Sequence, residues 1–207
     1  MACAVVTISR TLGAGGEEIG FAAASELGFR YADEEIIVRA AEKAGVSPET
    51  VAAVEHTPGL VTRILDAMAR TPPDAAGYGV YPPATGESRD AYLGLIERVV
   101  RETATEGGVV IVAHAASVPL AGTGGLLRAF VTAPREARIA RLVRDAGMAE
   151  APARKAIEES DRQRRDYLRR FYDVRQELPT HYDLVLNTDV LTIPAAAQLL
   201  VAAAKSI

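Results

Sequence analysis

The sequence predicts an α/β fold, a parallel β-sheet flanked by helices, with a helical lid. Three observations carry that reading. Short apolar, β-branched runs recur at residues 4–8 (AVVTI), 108–112 (GVVIV), 127–131 (LRAFV) and 183–187 (DLVLN), the composition of strands buried on both faces. Helical patterns separate these runs, as right-handed crossovers in a parallel sheet require. The first run passes directly into a glycine-rich turn, SRTLGAGGEE, that opens a helix.

Each element follows in order. Residues 4–8 read as the first strand. From Glu17 to Leu27, Ile19, Ala22, Ala23 and Leu27 share one stripe of a helix, and Gly28 stops it just past its last turn. Residues 29–33 (FRYAD) are short and extended, and residues 34–44 (EEIIVRAAEKA) are helical up to Gly45. Ser47-Pro48-Glu49 starts another helix, with serine as cap and proline in the first turn. Residues 60–70 form an amphipathic helix. Residues 71–90, with four prolines and three glycines, read as a long loop. Helices follow at residues 91–105, from Arg135, at 150–172 and at 193–204.

Composition bounds the function. At about 150 residues per domain, 207 residues suggest one domain with an insertion, or one domain plus a lid. Hydrophobic residues at 49% and charged residues at 24% exclude a disordered chain. A net charge of −4 disfavours a nucleic-acid-coating protein. The single cysteine, Cys3, excludes an internal disulfide and a multi-cysteine zinc site, and His56, His114 and His181 are scattered, so no metal site built from protein ligands is expected. No apolar run approaches the roughly 20 residues of a membrane span, and the first ten residues lack a signal-peptide pattern. A cytoplasmic protein without a membrane partner is expected.

The glycine-rich turn is the strongest chemical signal. Gly13, Ala14, Gly15, Gly16, Glu17 and Glu18 sit where backbone N–H groups and a helix N-terminus can hold a phosphate. The lysine and the magnesium-holding hydroxyl of the usual phosphate loop are replaced, at Gly16 and Glu18. Arg10 offers a replacement charge. The two glutamates would stabilise an empty helix start and repel an anion, so a plain strand-to-helix turn is the competing reading.

A second signal is basic. Residues 135–175 hold twelve basic and eight acidic residues, a local +4. Arg138, Arg141 and Arg144, three apart, fall on one side of a helix, and the planar guanidinium suits phosphate oxygens. A solvated, ion-paired face, with pairs such as Glu158–Arg162 and Asp161–Arg165, is the alternative.

The ordered segments VTISRTLGAGGEEIG, LGFRYADEEII, GGVVIVAHAA, RAFVTAPREARIARL, EESDRQRRDYLRRFY and HYDLVLNTDVLTI resemble the cytidylate kinase-like family, relatives of the nucleoside monophosphate kinases, over residues 4 to 204. The resemblance implies a single phosphate-loop kinase domain over residues 1–207, with a monophosphate-binding helical region at about 33–105 and a lid at about 135–175. It implies transfer of the ATP γ-phosphoryl group to CMP or dCMP, with Mg²⁺ held mainly through the phosphates. By the same resemblance Gly13 to Gly16 surround the β-phosphate, and Asp33 and Arg39 belong to the monophosphate site. His114 stands where the family carries a phosphate-holding arginine. Arg138 and Arg141 reach the transferring phosphate, Asp161, Arg162 and Arg165 contact base and phosphates, and Asn187-Thr188-Asp189 corresponds to a loop near the adenine, although turn and capping chemistry before a helix is the favoured reading of those three residues. Branch members resembling this chain also carry Ser-Arg before the loop and Gly-Gly in place of the lysine.

Three functions compete at this stage. One is the kinase. A second is a catalytically weak or inactive nucleotide-binding protein, indicated by the lost lysine and hydroxyl and by His114. The third is a nucleic-acid or partner binder using helix 154–175, disfavoured by the acidic remainder and the lack of interleaved aromatics.

Overall fold

The computed structural model describes residues 2–45, 48, 86–112 and 115–207. Five strands, β1 (Val5–Arg10), β2 (Arg30–Ala32), β3 (Val109–Val112), β4 (Leu126–Thr132) and β5 (Leu184–Asn187), form one sheet in the order β2-β3-β1-β4-β5. Every pairing is parallel. The helices are α1 (Gly16–Leu27), α2 (Glu34–Ala44), α3 (Gly86–Glu106), α4 (Arg135–Ala146), α5 (Glu150–Tyr172) and α6 (Ile193–Lys205), with a short 3-10 turn at Pro179–His181.

The expected α/β architecture is the observed one. Residues 34–44 and 150–172 are helices with the predicted bounds. The expected loop at 71–90 is corrected at its end, because α3 begins at Gly86. The proline signal stops at Pro83, which leaves the chain free to begin a helix before residue 91. The helix starts expected at Ser47 and over 60–70, and residues 71–85 of the loop, lie outside the described residues.

Strand alternation divides the core into two layers. Val5, Val109 and Ile111 face one side and pack with Ile36, Ala40, Ile96 and Val99 of α2 and α3. Val6, Ile8, Val110 and Val112 face the other and pack with Ile19 and Ala23 of α1 and Leu200 and Val201 of α6. Full burial of each large aliphatic side chain contributes about 1.5–3 kcal/mol. A third, smaller core joins α4 to α5 through Ile139, Leu142, Met148, Ala153 and Ile157, and Leu12 packs against it. Leu12 belongs to the turn after β1, so the helix pair is pinned to that turn. The chain leaves β1 toward β2 and leaves β4 toward β5, on opposite sides. Ligands in such sheets bind outside the carboxyl ends of the strands at this divergence.

Candidate functional site

The site is built from the turn between β1 and α1. Thr11 N–H donates to Val131 O at 3.1 Å, and Ala14 N–H to Thr11 O at 3.0 Å, folding the chain back over the sheet's carboxyl edge. Gly13 and Gly15 hold φ of 77° and 81°, the left-handed region, which favours glycine. Ile19 N–H reaches back to Gly15 O at 3.1 Å, so the N–H groups of Gly16, Glu17 and Glu18 lie ahead of the first intrahelical bond. Three donors and the positive end of the helix dipole converge there.

The turn's carbonyls are held from behind. Arg141 Nη1 donates to Gly13 O at 2.6 Å and Arg141 Nη2 to Thr188 O at 2.9 Å. Thr188 Oγ1 donates to Ala14 O at 2.8 Å. Arg138, 6% exposed, spends its donors on Ala133 O, Leu12 O and both oxygens of Asp161. A Cβ at Gly13 would stand 3.0 Å from Arg138 O, and one at Gly15 would stand 2.2 Å from Cδ1 of Ile193. The structure thus brings Arg138, Arg141 and Asp161 to the loop, engaged with protein acceptors. The carbonyls of Leu12, Gly13 and Ala14 are thereby tied to Arg138, Arg141 and Thr188.

Arg10, the last residue of β1, lies against Gly16 and Glu17 at the start of α1. Its side chain is 13% exposed, and Nε lies 2.5 Å from Glu17 Oε1. Among the described residues that buried Nε has no aligned hydrogen-bond partner. A Cβ at Gly16 would stand 2.7 Å from Arg10 Cβ and 3.0 Å from Arg10 Cδ. Tyr31, the middle residue of edge strand β2, hydrogen-bonds Asp33 and feels both Glu17 and Arg10. Burial, followed by the negative charges of Asp33 and Glu17, pushes its hydroxyl well above the usual phenol range. Asp33, the residue that precedes α2, is therefore joined through Tyr31 to the loop. One sequence assignment is corrected: the hydroxyl position directly follows the lysine position, so with Gly16 in the latter it is Glu17, and not Glu18, that replaces the hydroxyl.

Other expected residues are placed elsewhere. Arg39 donates to Thr103 Oγ1 and Glu106 Oε1, both at 3.0 Å, and Glu106 also meets Arg30 at 2.5 Å. Arg30 lies in register with Val109, which pairs with Val5, so this network marks the amino edge of the sheet, opposite the loop. Hydrogen bonding by Arg39, with its charge and that of Arg30, outweighs burial and holds the Glu106 carboxyl below its ordinary range. Arg162 pairs with Glu159, Glu158 with Arg135, and Arg144 with Asp145, all exposed. The suggested Glu158–Arg162 and Asp161–Arg165 pairs are thus replaced by other partners for Glu158, Asp161 and Arg162. Arg165 is exposed. His114 lies outside the described residues.

Sequence reasoning missed a buried polar chain on the α2–α3 side of the sheet. Thr7 and Ser117 hydroxyls are 3.0 Å apart, and Ser9 and Ser117 hydroxyls 3.3 Å apart. Tyr182 meets Ser9 and donates to Glu177, whose oxygens take the Arg164 fork at 2.5 and 2.8 Å. Tyr182 stacks on Phe130 with centroids 5.0 Å apart, and Arg164 lies 5.6 Å over the same ring. The only sequence signal was Thr7 and Ser9 interrupting an apolar strand.

Among the described residues no helix is long and apolar enough to cross a membrane, and no group of three or more His, Cys, Asp or Glu could hold a metal ion. No curated protein sequence matches the chain. An uncharacterised protein from Eubacterium ventriosum matches in structure with TM-score 0.68 and 14% identity, covering 99% of each chain. A gluconokinase from Sinorhizobium meliloti matches with TM-score 0.53 and 12% identity over 98% of this chain and 91% of that one. A shikimate kinase from Bacteroides thetaiotaomicron matches with TM-score 0.51 and 16% identity over 95% and 96%. These identities show a shared fold, that of the phosphate-loop kinases. The model of the cytidylate kinase-like family matches residues 5–190, nearly the whole chain, and the chain belongs to that family.

Proposed function

We propose that the protein transfers the γ-phosphoryl group of ATP to a pyrimidine nucleoside monophosphate, CMP or dCMP, drawing on the cytoplasmic nucleotide pool. The observation that carries this reading is the loop itself. Gly13 and Gly15 turn the backbone through positive φ, and Arg141 and Thr188 hold the Gly13 and Ala14 carbonyls outward. The first-turn N–H groups of α1 then face one point, the arrangement that receives phosphate oxygens. Membership of the cytidylate kinase-like family supports phosphoryl transfer in general; the pyrimidine acceptor is our narrower reading.

In the proposed reaction an acceptor phosphate oxygen attacks the γ-phosphorus, the bond from phosphorus to the β–γ bridging oxygen breaks, and ADP leaves with the electron pair. An anionic acceptor oxygen needs no general base. Protein catalysis is then positioning and charge stabilisation. Arg141 and Thr188 keep the loop rigid, and Arg138 and Asp161 fix the α4–α5 pair beside it. Asp33, beside Tyr31, lies at the acceptor side. Mg²⁺ fits through hard oxygen donors: it would be held mainly by the phosphates, with the Glu17 carboxylate at the vanished hydroxyl's position as the protein oxygen beside it. Bound Mg²⁺ would neutralise phosphate charge.

A second reading, a nucleotide binder with little or no turnover, is favoured by one observation: Glu17 places a carboxylate within 2.5 Å of Arg10, at the mouth of the phosphate site. ADP release from ATP and Mg²⁺, measured against a panel of monophosphates, separates the two. Turnover with CMP or dCMP supports the kinase. Nucleotide binding with silence across the panel supports the binder or an acceptor outside the nucleotides.

A further inference from the structure

We propose that Arg10 is the catalytic cation of this loop, and that the charge has exchanged places with a glycine across the turn. The inference rests on the nucleotide-loop reading above. The usual loop opens with glycine and, after four residues, closes on Gly-Lys. Aligned on Gly15, its opening position is residue 10 and its lysine position is residue 16. Here the opening residue is Arg10 and the lysine position is Gly16: the two residue types are interchanged.

The structure gives the exchange a physical reason. Residues 10 and 16 touch across the turn. A Cβ on residue 16 would stand 2.7 Å from Arg10 Cβ and 3.0 Å from Arg10 Cδ, so one of the two positions can carry a long side chain and the other must be glycine. The Arg10 chain runs through the space a side chain from position 16 would enter. Its guanidinium ends beside Glu17 and within electrostatic reach of Tyr31. It is largely buried, with an Nε that has no aligned acceptor among the described residues. By contrast Arg138 and Arg141 have their donors committed to Leu12 O, Gly13 O, Asp161 and Thr188. Among the described residues Arg10 is thus the loop's cation whose one ion-pair partner is the Glu17 carboxylate, which a phosphate oxygen would displace. A guanidinium also presents two N–H groups in one plane to phosphate oxygens, at the point where charge develops during transfer.

The test is a charge transposition read by Mg²⁺-free ADP affinity and by phosphoryl transfer, with thermal unfolding of the nucleotide-free protein as the folding control. Arg10→Gln should weaken ADP binding by about tenfold or more and slow transfer by about a hundredfold or more, with Arg10→Lys falling between it and the wild type. Gly16→Lys alone should bind poorly, since its side chain meets Arg10. The double variant Arg10→Gly/Gly16→Lys restores the ordinary order and should recover ADP affinity above that of Arg10→Gly. Wild-type affinity and rate in Arg10→Gln overturn the proposal, as does a folded double variant no better than Arg10→Gly. If the double variant does not fold, the Lys–Gln comparison at position 10 decides. Failure of the wild type itself to bind ADP or ATP overturns the nucleotide reading, an outcome distinct from wild-type binding that ignores residue 10.

Discussion

Thr188 and Ala14, 174 positions apart in sequence, are joined by a hydrogen bond of 2.8 Å from the threonine hydroxyl to the alanine carbonyl. The same hydroxyl accepts from Arg141 Nη1 at 3.2 Å, and that nitrogen also donates to Gly13 O at 2.6 Å. Residues after β4 and β5 thereby fix the peptide orientation of the loop after β1. Orientation matters because a phosphate site made of N–H groups works only when the adjoining carbonyls point elsewhere.

Thr188→Val keeps the shape and removes the relay. The Ala14 carbonyl and part of the Arg141 fork lose a partner inside the protein, a cost of about 1–2 kcal/mol. ADP affinity should fall about fivefold or more, because the loop's N–H groups are no longer held converged, whereas Thr188→Ser should bind nearly as the wild type does. Calorimetric titration with ADP alongside thermal unfolding checks this. Unchanged ADP affinity in Thr188→Val would show that the relay supports the fold alone.

Asp161→Ala should destabilise the protein by about 3 kcal/mol, because it leaves the Arg138 guanidinium buried without its counter-ion. The pair is bidentate, at 2.9 and 2.7 Å, with Arg138 7% and Asp161 25% exposed at the side chain. Arg144→Ala, on an exposed pair with Asp145, should leave stability unchanged, since solvent screens such pairs. Urea unfolding of both variants gives the comparison, and equal midpoints would refute it.

How far the sequence carried depends on the range of the interaction that decides each feature. Strand and helix identities follow from local pattern, so Glu34–Ala44 and the glycine stops at Gly28 and Gly45 were legible, as was the existence of the first strand; its end was not, since the reading stopped it at residue 8 whereas the ladder with β4 carries it on through Ser9 to Arg10. Arginine roles were not. Arg39, Arg138 and Arg141 are long side chains whose direction is chosen by partners 64, 126 and 128 positions away. The spacing of Arg138 and Arg141 placed both on one helix side without telling which way the helix faced the loop. Contact of Arg10 with Gly16 was equally hidden, although the two are close in sequence, because it depends on the exact curl of the turn between them.

Acid should weaken the protein partly through Glu177. Burial alone would raise this carboxyl, but the Arg164 hydrogen bonds and charge, with the Tyr182 hydroxyl, outweigh it and hold it below its ordinary range. A carboxyl depressed in the folded state contributes stability above its unfolded value, and that contribution fades as pH drops below about 4 and through the folded value. Glu177→Gln should therefore be less stable than the wild type near neutrality and lose less on acidification. Denaturation midpoints between neutral and acid pH measure the two slopes. Parallel slopes would remove Glu177 from the account.

Gly15→Ala tests two constraints at one position. Its φ of 81° is a conformation that costs an L-residue about 1–2 kcal/mol. An added Cβ also meets Ile193 Cδ1 at 2.2 Å, with Cγ1 next at 3.4 Å, an overpacking worth about 1–3 kcal/mol. The second term has a specific remedy. Ile193→Val deletes the offending methyl and, by itself, costs about 0.5–1.5 kcal/mol. Gly15→Ala/Ile193→Val should therefore be more stable than the sum of the two single effects allows, a coupling expected for touching residues. The backbone term stays in the double variant, so neither stability nor ADP affinity should return fully to the wild-type value. Strict additivity in a double-mutant cycle would mean that α6 does not press on the loop. Full recovery of both quantities would mean that the left-handed turn at Gly15 is not required for the nucleotide site.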